Sequence, residues 1–190
     1  MKNNKNIIRA MAFGVLLAAG VGASAGESYY GGNLAFIDYS ETGFEDASLS
    51  VLSGRLGTSW NDNFSGELRL GFGVGDDTIR VIGLDVDLAL KNFYGAYIKS
   101  GVQMTDTIYP YAILGYTRGE AEASIGSFSE STSETDVSFG IGTDFNISES
   151  LNVNLEYMNY LDKDGADISG FSLGFSSKFW VVSSGKAYAF

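Results

Sequence analysis

The 190-residue chain contains neither histidine nor cysteine. That removes the commonest general base, the commonest metal ligand and every thiolate reaction before any motif is weighed. The side chains left for chemistry are carboxylates, ammonium groups and guanidinium groups. Glu67 and Glu156 are conceivable as an acid/base pair, but no further residue in the chain supports that role, and structural ion-pair networks perturb carboxylates equally well. The run Asp162-Lys163-Asp164-Gly165-Ala166-Asp167 has the acids of a calcium loop. Its glycine stands fourth, however, where the EF-hand needs it sixth, so the run reads as a turn. Gly71-Phe72-Gly73-Val74-Gly75 lacks both the GxGxxG spacing and the following helix of a phosphate cradle. The sequence therefore predicts no catalytic residue, no cofactor and no metal site. The residues that do fall into a pattern are Arg55, Glu67, Arg69, Lys99, Asp144, Glu156 and Lys178, all on the polar side of alternating segments.

Those segments are strands. Leu68, Leu70, Phe72 and Val74 alternate with Glu67, Arg69, Gly71 and Gly73, and the same period of two returns over Leu84 to Val102, Val137 to Phe145, Leu151 to Met158 and Gly170 to Phe179. Period two is the signature of a strand with unlike faces. Composition agrees, since 25 glycines, a single proline (Pro110, at a strand start) and 14% aromatics suit an all-β chain. Three short polar breaks, centred on Asp62, Asp106 and Glu149, recur at near-equal intervals and read as tight turns at one end. Longer polar stretches at Glu41 to Ala47, Gly75 to Gly83, Gly126 to Thr135 and Asp162 to Asp167 read as loops at the other end. The Ser/Thr/Glu-rich segment Ile125 to Asp136 is the most polar of these, a surface loop. This predicts eight strands near residues 28 to 40, 48 to 60, 64 to 74, 84 to 104, 108 to 124, 136 to 147, 151 to 161 and 168 to 179.

Side-chain volume decides which face points inward. The polar face is rich in glycine (Gly71, Gly73, Gly95, Gly115, Gly140, Gly142), whereas the apolar face carries Phe, Tyr, Leu and Trp60. The inside of a barrel of about eight strands is only just wide enough for side chains, so small residues belong there and bulky apolar ones face outward. An outward apolar band means lipid, as in transmembrane β-barrels. A helical membrane protein is excluded, because no stretch after the N-terminus approaches the ~20 apolar residues a spanning helix needs. Lys2, Lys5 and Arg9 precede an apolar run that ends in Ala23-Ser24-Ala25, the layout of a secretory signal peptide. Residues 1–25 are thus expected to be the signal and 26–190 the barrel domain. A net charge of -11 argues against a nucleic-acid partner.

The chain resembles the OmpA/OmpX-like eight-stranded outer-membrane β-barrel proteins. The stretches that carry the resemblance are Tyr29-Tyr30-Gly31-Gly32-Asn33, Tyr94-Gly95-Ala96-Tyr97, Pro110-Tyr111-Ala112-Ile113-Leu114-Gly115-Tyr116 and the closing Gly170 to Phe179. It implies an antiparallel up-and-down transmembrane barrel in the outer membrane of a Gram-negative bacterium. It also implies contact with outer-membrane lipid and lipopolysaccharide, delivery by the barrel-insertion machinery, and a monomer. Such barrels usually stop at a terminal aromatic, whereas eleven residues follow Phe179 here. Relatives that modify lipid A or cleave peptides use a histidine, and this chain has none. The expected role is structural or lies in the surface loops, with the lumen plugged by the seven charges. A narrow diffusion pore is the alternative, and a periplasmic lipocalin-like binding protein would demand the opposite facing of the strands.

Overall fold

The computed structural model describes residues 27–41, 47–81, 84–125, 128–163 and 166–179. The expected signal segment, the residues after Phe179 and the middle of the predicted loop at 42–46 lie outside the described residues. Nine segments follow one another: β1 (Ser28–Glu41), β2 (Ala47–Ser59), β3 (Phe64–Gly73), β4 (Asp76–Val81), β5 (Leu84–Gly101), β6 (Ile108–Ile125), β7 (Phe128–Asn146), β8 (Leu151–Lys163) and β9 (Ala166–Phe179). All pairings are antiparallel, and β1 pairs with β9, so the sheet closes. Both β3 and β4 pair with β5, β3 against Phe93 to Ser100 and β4 against Leu84 to Ala89. They are one wall position interrupted at Val74 and Gly75, and the barrel is eight-stranded.

The three tight turns form where the sequence places them. In each, a short polar side chain stands in for a strand partner. Asn61 Oδ1 accepts from the backbone N–H of Asn63 and of Phe64, both at 2.9 Å. Thr105 Oγ1 accepts from Ile108 N at 3.1 Å, and Ser148 Oγ from Leu151 N at 3.1 Å. These are the turn chemistries that Asn, Thr and Ser favour.

The opposite end differs from expectation. Gly75 to Gly83 contains β4 rather than only loop, and β6 and β7 continue as a ladder up to Ile125 and Phe128. Likewise β8 runs to Lys163 and β9 starts at Ala166, so most of Asp162 to Asp167 is strand. The reason is physical. Above a membrane both faces of a ribbon meet water, so Ser, Thr and Glu stand on both sides and period two vanishes while the backbone ladder persists. A second correction concerns Leu90, which alternation assigns to the outer face. A register shift between Leu90 and Asn92 reverses the parity, and Leu90 packs inside against Ala35, Ile37, Val51 and Phe93.

Facing otherwise follows the volume argument. Leu70, Ile98, Ile141 and Leu155 are exposed on the outside, Leu70 and Ile141 at 66% each. The interior holds two apolar clusters. One is the Ala35, Ile37, Val51 and Phe93 group toward the long-loop end; the other is Tyr97, Tyr111, Ile113 and Met158 at mid-barrel, with Tyr160 touching both.

Candidate functional site

Inside the barrel the polar parity converges. On β3, Glu67 and Arg69 are two residues apart and so share the inner face; Arg55 of β2 lies opposite Arg69 in register. From the far wall come Asn154 and Glu156 of β8, with Asp144 of β7 directly beside Asn154. Lys99 arrives from β5 and Tyr111 from β6. All six charged residues are buried.

Arg69 is the centre of the arrangement. Its Nε donates to Glu67 Oε1 at 2.5 Å, its Nη1 to Glu156 Oε1 at 2.5 Å and its Nη2 to Glu156 Oε2 at 2.8 Å. Glu67 also accepts from the Tyr29 hydroxyl at 2.9 Å, and Glu156 from the Tyr111 hydroxyl at 3.0 Å. Arg55 lies 3.8 Å from Glu67 and donates through Nη2 to Asn154 Oδ1 at 2.8 Å. Lys99 bonds Asp144 Oδ2 at 2.5 Å and rests 3.8 Å above the centre of the Tyr111 ring. Three cations thus meet three carboxylates, which is what burial of charge requires. Above them a hydroxyl chain runs from Tyr97 to Thr117 and on to Ser138, 2.6 Å at each step.

Lys178 does not join this group. It stands one residue before the end of β9, where its ammonium pairs with Glu27 at 2.8 Å and both side chains are partly exposed. Parity gives a residue's face but not its depth along the barrel.

The tyrosines are the functional residues that the charge pattern alone leaves out. Their signal is the glycine on the neighbouring strand. A Cβ on Gly57 would stand 2.2 Å from Tyr29 Cζ, and one on Gly142 would stand 2.5 Å from Tyr111 Cζ. The missing side chain lets the ring lie across the neighbouring strand and aim its hydroxyl at a carboxylate. Glycine and tyrosine together therefore set the geometry of the charges.

Below the Lys99–Asp144 pair the lumen opens into a cavity of about 800 Å³ at the tight-turn end, walled by Tyr29 and Tyr109. Its rim is tied down by Tyr109 donating to Asp62 O and Asn146 to Asp106 O, both at 3.0 Å. Among the described residues no group of acidic side chains has the spacing to hold a metal ion.

A family model described as an outer membrane protein beta-barrel domain matches residues 10–179. A search of curated proteins finds no match. Among solved structures, the attachment invasion locus protein Ail of Yersinia pestis is 20% identical with a TM-score of 0.62, covering 81% of this chain and 99% of Ail. Neisserial surface protein A is 16% identical with a TM-score of 0.60, covering 80% of this chain and 97% of its own. OprG of Pseudomonas aeruginosa is 15% identical with a TM-score of 0.59, covering 85% and 99%. At such identities the likeness is one of fold.

Proposed function

The chain belongs to the outer membrane protein β-barrel domain family, and from that membership we propose an integral outer-membrane protein with a closed lumen, whose work is done by the ribbons at its outer end. That membership implies the Gram-negative outer membrane. Short turns face the periplasm in such barrels and the longer connections face outward. The observation that carries the reading is Arg69. It sits on β3, and Glu156 sits on β8, the strand diametrically across the closed sheet. A bond between opposite walls leaves no free axis beside it in a barrel this narrow.

Nothing in the charge cluster has the form of a nucleophile with its base, and the reading assigns no catalysis. A cleaved signal peptide, delivery by the insertion machinery, and a monomer packed against lipid and lipopolysaccharide complete it. The competing reading is a narrow diffusion pore, favoured by the wide cavity below Lys99. Against it stands the apolar layer of Ile37, Val51 and Phe93, which water would have to cross. Recordings in planar bilayers separate the two. The wild-type protein should show at most rare, small openings, and a steady conductance would reject the closed lumen.

A further inference from the structure

At the outer end β7 outruns its neighbour on one side. Against β6 its ladder continues without a register shift to Ile125↔Phe128, whereas against β8 it ends at Phe139↔Asn159. Bond direction tells which backbone groups this leaves over. Asn146 N donates to Thr107 O on the β6 side, and Ile147 N to Leu151 O on the β8 side. Bonding pairs alternate along an antiparallel ladder, so the even positions of β7 bond β6 and the odd positions face the other way. Ser129, Ser131 and Ser133 therefore present their N–H and C=O groups along an edge that has no strand partner among the described residues.

Proteins ordinarily blunt such an edge with proline, lysine, a bulge or a short strand. The stretch Phe128 to Ser138 contains neither proline nor lysine, its ladder is unbroken, and every residue from Phe128 to Thr135 is exposed. It carries three acids, Glu130, Glu134 and Asp136, and no base. All three stand at even positions, on the lumen-side face that Ser138 continues below. A second copy laid against this edge would set one acidic strand on another, and like charges opposite each other destabilise a strand pair. A basic strand meets the reverse. Opposite Glu130 it would form a non-hydrogen-bonded rung, where facing side chains come closest.

We propose that the β7 edge from Phe128 to Thr135 captures an extended basic segment of another protein as an added strand, bonded at Ser129, Ser131 and Ser133 and carrying a lysine or arginine over Glu130. The inference rests on the reading that the outer ribbons do this protein's work, and it names the kind of partner they fit. In strand addition the main-chain bonds supply affinity and alternate side chains choose the partner. Here the bonds come from the serines and the choice from the acidic face.

The test uses the full chain in nanodiscs of uncharged lipid and a synthetic peptide that alternates lysine with threonine. Amide exchange followed by NMR should slow about tenfold or more at Ser129, Ser131 and Ser133 when the peptide saturates. The amides of Glu130 and Thr132, already bonded to β6, should change less. Methylating every peptide nitrogen keeps the charges and should abolish the protection. Ser133→Pro removes one edge donor and leaves the β6 ladder intact, since an edge strand tolerates proline; Glu130→Lys reverses the charge. Each variant should weaken binding about tenfold or more. No protection at the serines, or equal binding of the methylated peptide or of one alternating glutamate with threonine, would overturn the proposal. Protection that grows with protein concentration alone would give the edge to a second copy and overturn it as well. Planar-bilayer recordings on the same preparation keep the two readings apart: a closed lumen without protected serines rejects the added strand alone, and a steady conductance rejects the closed lumen.

Discussion

Arg69 spends its guanidinium on two carboxylates from different walls, Glu67 and Glu156, and removing either acid leaves a buried cation without its partner. Glu156→Ala should cost on the order of 3 to 5 kcal/mol in equilibrium unfolding from lipid vesicles. Replacing Arg69 and Glu156 together by apolar residues should cost less than the two single changes summed, since no orphan charge remains. An additive result would show that the two side chains do not depend on each other. Lys178→Ala removes a partly exposed pair and should cost no more than about 1 kcal/mol. The glycines allow a sharper contrast. Gly142→Val would drive a side chain into the Tyr111 ring and displace the hydroxyl from Glu156, an overpacking worth about 1 to 3 kcal/mol. At Gly54 the nearest atom to a new Cβ is 4.0 Å away, so Gly54→Ala should be nearly silent in the same assay.

At the scale of the strand, what the sequence discloses is set by the solvent on each face. Between lipid and lumen the two faces differ in polarity and volume, which is why Leu70 against Arg69 and Ile141 against Gly142 are legible from residue types alone. Two things escape that logic. A bulge reverses parity without any sequence mark, as at Leu90. A ribbon standing in water has no unlike faces, so the pairing of Gly119 to Ile125 with Phe128 to Glu134 leaves no periodic trace. The charge cluster was legible as a set of inward residues, but its wiring was not, because which acid meets which base depends on shear and on rings held over glycine. Arginine at Leu70, Ile98, Ile141 or Leu155 should destabilise the barrel by roughly 2 to 4 kcal/mol near mid-membrane. Arginine at Ser131, on the outer part of the β6–β7 ribbon, should cost almost nothing; equal effects at both kinds of site would refute the facing. On the same ribbon the Glu122 carboxyl is held below its ordinary range by the ammonium of Lys91 on the adjoining β5, hydrogen-bonded to it and 2.7 Å away. A depressed acid keeps its contact above its unfolded pKa and loses it as pH falls through the lowered one. A carboxyl titration followed by NMR should therefore show Glu122 protonating below the ordinary range of a glutamate side chain.

For the whole molecule, an outer surface of Leu, Ile and Phe around a charged interior inverts the arrangement of a water-soluble barrel. The mature protein should need detergent to remain in solution and should migrate differently on a denaturing gel before and after boiling; recovery as a soluble periplasmic monomer would contradict the membrane assignment. The seam has a further consequence, one of timing. β1 and β9 meet over their full lengths, and Asn33 bonds Ser172 across 139 positions of sequence. Hairpins around the tight turns join near neighbours and can form early, whereas contacts between the two ends carry the largest loop-closure entropy and come late. Until then the sheet has two unpaired edges, which hydrocarbon does not tolerate and which other chains can capture. The slow step of this protein's life is therefore the meeting of its first strand with its last, and whatever shelters the open edges during that wait decides whether a chain becomes a barrel or an aggregate.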